Sequence, residues 1–126
     1  MVPQDLRYTK EHEWVRIEGD MATVGITDYA AEQLGDVVFV ELPELGRSVT
    51  QFAPIGVIES VKAVSDLFAP LNGEIVEANA ELSNAPELLN SDPYKTGWML
   101  RIRIADAKQL DDLLDAAAYE ALTAEP

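Results

Sequence analysis

The sequence predicts a mostly β domain with small helices at its periphery. Three observations carry this. Short β-branched or alternating runs recur along the chain, at residues 14–17, 21–26, 37–42, 55–61 and 98–104, and runs of that length and composition suit strands. Two reversals fall close together, around Lys62 and around Asn72-Gly73, which is the spacing a flattened sandwich of short strands requires. The 126 residues, 48% of them hydrophobic, suffice for one ordinary core and fit a single domain over 1–126.

Taken in order, Trp14, Val15 and Ile17 suggest a first strand, and Glu18-Gly19-Asp20 turns it into a second at 21–26. Asp28, or alternatively Thr27, caps a short helix over 29–34, with Gly35 at its C-terminal end. Residues 37–42 read as a buried strand closed by Pro43, and Leu45-Gly46-Arg47 turns the chain into a short strand at 48–50. Asn72-Gly73, between apolar runs, reads as a tight hairpin whose central positions need positive φ. Asn84-Ala85-Pro86-Glu87 has the form of a capping box opening a brief helix at 88–90. The alternation over 98–104 gives a half-buried strand. Asp106 with Gln109 makes a second capping box for a helix over about 106–122, with Leu110, Leu113, Leu114, Ala117, Ala121 and Leu122 on one face.

Composition removes several classes of function. A net charge of −14 argues against nucleic acid or an anionic membrane as a partner. There is no cysteine and a single histidine, His12, so thiol chemistry is absent and a metal site is not expected. No nucleophile elbow, phosphate loop or dinucleotide fingerprint occurs, so the chain does not read as an enzyme. The N-terminus lacks an apolar signal run, and a cytoplasmic protein is expected.

The chain is organised around the segment from Gly56 to Asp66. Lys62 is the only lysine between Lys10 and Lys95. It sits between two strand-like runs at a tip containing no Gly, Asn or Pro, so ordinary turn residues do not explain the reversal. A lysine there stands in solvent, within reach of an enzyme.

Gly56, Glu59-Ser60-Val61-Lys62-Ala63, Ser65-Asp66, Pro70 and Asn72-Gly73-Glu74 closely resemble the lipoylation segment of the glycine cleavage system H protein family. The resemblance continues in residues 8–14, 27–30 and 34–36, in Pro86-Glu87-Leu88, Asn90 and Asp92-Pro93-Tyr94, and in Gly97-Trp98. It implies a lipoyl/biotinyl-type hammerhead, a flattened barrel-sandwich of two short antiparallel sheets with a C-terminal helix. It implies lipoate bound covalently to Lys62, presented by Glu59, Ser60, Val61, Ala63 and Ser65. It also implies a monomeric, non-catalytic carrier visiting glycine decarboxylase, an aminomethyltransferase and dihydrolipoyl dehydrogenase, after loading by a lipoyl- or octanoyl-attaching enzyme. Glu13 and Asp66 fall on positions that contact the aminomethyl-bearing arm; Glu11 does too, where many relatives have serine. A lipoyl domain of a 2-oxo acid dehydrogenase typically reads Asp-Lys-Ala at its tip, and a biotinyl carrier flanks its lysine with methionines. Val61 stands where the first has aspartate, and Val61 and Ala63 stand where the second has methionines. An octanoyl or lipoyl relay protein would share both fold and Lys62, and an unmodified acidic module is the non-carrier alternative.

Overall fold

A computed structural model of the chain describes residues 2–124. Two antiparallel sheets, not closed into a barrel, carry the molecule, with a few short helices around them. The larger sheet runs β1-β2-β3-β9-β8-β5. Its strands are β1 (Arg7–Tyr8), β2 (Glu13–Glu18), β3 (Met21–Ile26), β5 (Ser48–Val49), β8 (Gly73–Ala78) and β9 (Leu100–Ile104). The smaller sheet, in the order β4-β6-β7, contains β4 (Val37–Glu41), β6 (Pro54–Ser60) and β7 (Val64–Phe68). The mostly β expectation holds.

Between β3 and β4 lies helix α1 (Asp28–Leu34). Its cap is Thr27, whose side chain accepts from the Ala30 N–H; Asp28 is already inside the first turn. β4 is less buried than its apolar sequence suggests. Its register shifts between Val37 and Phe39, and Val38 and Phe39 are both exposed. A bulge of this kind breaks the inward–outward alternation that an apolar run leads one to expect.

Asn72-Gly73 forms no hairpin. β7 belongs to the smaller sheet and β8 to the larger, so the dipeptide carries the chain across between sheets. Asn72 Oδ1 accepts from the Gln51 N–H at 2.7 Å, and Gly73 is not among the residues with positive φ. Glycine is needed there for space, since a methyl group at Gly73 would lie 2.2 Å from the Arg103 carbonyl oxygen.

The predicted capping box at Asn84 is also absent. Asn84 ends a 3-10 turn over Ala80–Ser83, and α2 (Leu88–Ser91) starts at Glu87 without a side-chain cap. The tail is two pieces rather than one helix. A 3-10 turn spans Ala107–Asp112, and α3 (Ala116–Thr123) restarts from Asp115. Between them Leu114 and Tyr8 exchange backbone hydrogen bonds of 2.7 and 2.8 Å. Gln109 turns its side-chain oxygen to the Asn72 N–H instead of closing a box.

The main core lies between the sheets, from Val15, Val24 and Ile102 to Ile58 and Leu67. A second cluster joins Leu6, Tyr8 and Trp14 to Ala116 and Tyr119 of α3. Trp14 is fully buried opposite Gly25 and donates its indole N–H to the Pro93 carbonyl at 2.9 Å. A methyl group at Gly25 would stand 2.6 Å from Trp14 Cε2. Gly25→Ala is therefore expected to destabilise by about 2 kcal/mol, a fall in Tm of about 6–10 °C. An unchanged melting curve would show that the indole can shift without loss.

Candidate functional site

β6 and β7 pair as far as Glu59 and Val64, and the turn beyond them presents Lys62. Serine chemistry closes it. Ser60 N–H donates to the Ala63 carbonyl at 2.8 Å. Ser60 Oγ accepts from the N–H groups of Lys62 and Ala63 at 3.3 and 3.1 Å. A serine hydroxyl bonding the backbone two and three residues on can replace turn-forming glycine or asparagine. The same turn is anchored sideways, because Val61 N–H donates to the Asp36 carbonyl at 3.0 Å. The backbone under the lysine is thus held while Val61, Lys62, Ala63 and Val64 remain exposed. Glu59 lies on the strand next to the turn, in register with Phe39 on one side and Val64 on the other.

The Lys62 stem lies beside the C-terminal end of α1. A methyl group at Gly35 would sit 3.6 Å from Lys62 Cε, an ordinary contact. Gly35 takes φ 78° and closes the helix by donating its N–H to Ala31 at 3.1 Å.

Next to this point runs a groove of about 170 Å³. α1 supplies Ala30 and Leu34 to one wall, and β6 and β7 supply Ile58, Ser65 and Asp66. The opposite wall is the turn carrying Glu11, His12 and Glu13. The structure therefore brings Glu11, Glu13, Ser65 and Asp66 to one groove, while Lys62 and its turn neighbours stand at the tip outside it. A larger hollow of about 690 Å³ beside Glu44 and Arg47 is lined by none of these residues.

The carboxylates in the groove differ sharply. Asp66 and Glu11 are exposed. Glu13 is 1% exposed, and both its oxygens are occupied. The Thr9 hydroxyl donates to Oε1 at 2.5 Å and the Phe68 N–H to Oε2 at 3.1 Å. Burial pushes the Glu13 carboxyl up to about 7, against the downward pull of those two bonds, and Glu11 adds a smaller upward push. Glu13 thus ties the opening turn to the end of β7 as well as lining the groove.

His12 is half-buried with φ 73°. Its Nδ1 lies 2.8 Å from the Tyr119 hydroxyl, which is 2.7 Å from Thr27 Oγ1. Burial holds the imidazole below its ordinary value, opposed by Glu11.

The sequence profile of the family described as Glycine cleavage H-protein matches residues 6–126. The chain belongs to that family. It is 57% identical over 124 residues to the glycine cleavage system H protein of Symbiobacterium thermophilum, covering 98% of this chain and 97% of the relative. It is 62% identical over 118 residues to that of Rubrobacter xylanophilus, covering 94% and 91%. The crystal structure of a glycine cleavage system H protein from Mycobacterium marinum is similar with a TM-score of 0.91 and 40% identity, covering 98% of this chain and all of that one. The two-sheet arrangement is thus that of a solved H-protein. Within this H-protein fold, sequence reasoning missed Gly35 as a neighbour of Lys62, missed Leu34 as part of the groove wall and missed Tyr119 altogether. Tyr119 falls off the supposed leucine face of the tail, and only the break at 113–115 turns it inward.

Proposed function

We propose that the chain is the lipoyl carrier of a glycine cleavage system, with lipoate amide-linked to Lys62 Nζ. The observation that carries this reading is the juxtaposition at the tip. A solvent-exposed lysine on an anchored backbone stands beside a groove with apolar walls and acidic groups. Such residues suit an acyl arm: Ile58, Ala30 and Leu34 would receive its aliphatic part, and Glu11, Glu13 and Asp66 a cationic amine. Charge-assisted hydrogen bonds to a carboxylate are the strong ones. When bound, lipoate would supply a disulfide that is reduced as it takes an aminomethyl unit on one sulfur and a proton on the other; once that unit has been handed on and both sulfurs are thiols, loss of two electrons and two protons would restore the disulfide.

The chain itself catalyses nothing in this reading. Ser60 and Val61 hold the tip still, so that glycine decarboxylase, the aminomethyltransferase and dihydrolipoyl dehydrogenase can each accept the arm in the cytoplasm. Tethering keeps the cargo at high effective concentration between visits. Glu13 and Asp66 shelter the cationic cargo from premature loss. An attaching enzyme for lipoyl or octanoyl groups must first modify Lys62.

The test is intact mass with peptide mapping after lipoate ligation, before and after glycine and a glycine decarboxylase. Lipoyl mass on Lys62 followed by a glycine-dependent aminomethyl increment is expected. Lipoylation without that increment would replace the shuttle by an octanoyl or lipoyl relay. No modification would overturn the carrier reading.

A further inference from the structure

Tyr119 lies outside the groove, yet its hydroxyl meets one residue that lines it and the residue that caps the helix beside it. It meets His12 Nδ1 at 2.8 Å and Thr27 Oγ1 at 2.7 Å. Thr27 caps α1, the helix that supplies Ala30 and Leu34. His12 is the residue between Glu11 and Glu13. Its φ of 73° lies in the left-handed region, which residues with a Cβ enter uncommonly and asparagine most readily. The surroundings here are specific. The His12 carbonyl accepts from the Thr27 N–H at 3.0 Å, and its ring packs on Tyr29 with centroids 4.8 Å apart. The Tyr119 hydroxyl fixes the remaining freedom of that ring. Packing alone does not call for this hydroxyl, because the Tyr119 ring already stacks on Tyr8 at 4.6 Å and 15°.

We propose that Tyr119 is a positioning residue, whose hydroxyl braces His12 in its left-handed conformation and so holds the Glu13 carboxylate at the groove wall. This rests on the reading of Glu13 as a shelter for cationic cargo. A helix remote from the tip thereby sets the geometry of the groove beside it.

The first readout uses the unloaded protein. Carbon-13 NMR follows the titration midpoint of the Glu13 carboxyl, which burial raises to about 7. Tyr119→Phe keeps the stacked ring and removes the brace. The midpoint should fall by about one unit or more as water reaches the loosened carboxylate. Lipoylation of Lys62 should proceed at the wild-type rate. His12→Asn, which tolerates left-handed backbone but falls short of Tyr119, should lower the midpoint likewise and serves if Tyr119→Phe does not fold. The second readout is ammonia release from glycine-loaded protein, expected to rise about fivefold or more in Tyr119→Phe. The double variant with Glu13→Gln should release no faster than Glu13→Gln alone, whereas general loosening would add. An unchanged midpoint in both single variants overturns the brace, whatever the loaded protein does. A lowered midpoint, with Glu13→Gln releasing ammonia at the wild-type rate, instead overturns the sheltering role of Glu13, and the role of Tyr119 toward cargo falls with it.

Discussion

Lys62→Arg will abolish lipoyl attachment and with it every glycine-dependent mass increment, while leaving the fold intact. Arginine keeps the positive charge, but its guanidinium stays protonated at any working pH and offers no free amine for acylation. Structure gives no reason for a stability change. The side chain is exposed, and the ion pairs among the described residues join Arg101 to Glu77 and Arg103 to Glu74, far from the tip. Exposed substitutions of this kind stay within about 0.5 kcal/mol, so the melting curve should overlay that of the wild type. Intact mass after ligation decides the matter. Lipoylation of the variant at another lysine, followed by normal loading, would show that the tip is not the required site.

Glu13→Gln is expected to stabilise the protein at alkaline pH and to impair it as a carrier. In the folded chain the Glu13 carboxyl titrates at about 7 because it is buried, against an unfolded value of 4.5. The folded state therefore holds its proton more tightly between those values. Below the unfolded value burial of Glu13 carries no ionisation penalty. As pH rises from 4.5 towards 7 the unfolded chain releases this proton while the buried group keeps it, so stability falls, and it levels off above about 7 where both states are ionised. Glutamine carries no charge, and its side-chain oxygen can still accept from Phe68 N–H while its amide faces Thr9 Oγ1. The stability advantage of the variant should thus grow by about 2–3 kcal/mol between pH 5 and pH 8. Urea denaturation at several pH values measures this, and parallel stability curves for the two proteins would refute it. The gain should come with faster ammonia release from the loaded variant. A carboxylate kept at such a penalty is what a site for a cationic amine would select.

Some of this was legible in the sequence for local reasons. β3 was readable to the residue because Gly19, at φ 64°, makes a turn whose effects end within a few positions. Lys62 was readable because its neighbours lie beside it in the chain. The misreadings share one cause. Asn72-Gly73 has hairpin composition, but the flanking strands pair elsewhere, and the glycine answers the approach of Arg103 from β9. The leucine spacing of the tail is helical, but Leu114 is taken by the backbone of Tyr8. Ser60 belongs to the motif around Lys62, yet its role in closing the turn depends on bonds that composition does not reveal. The groove was harder still. Glu13 and Phe68 are 55 positions apart, and no periodicity reports a contact at that separation.

The brace between His12 and Tyr119 spans 107 positions, whereas Ser60 closes the Lys62 turn within three. Loss of the C-terminal segment therefore bears on the two features differently. It would remove the partner of His12 and leave every hydrogen bond of the lysine-bearing turn in the remaining chain. On the proposed function, clipping there is expected to uncouple acylation of Lys62 from retention of cargo.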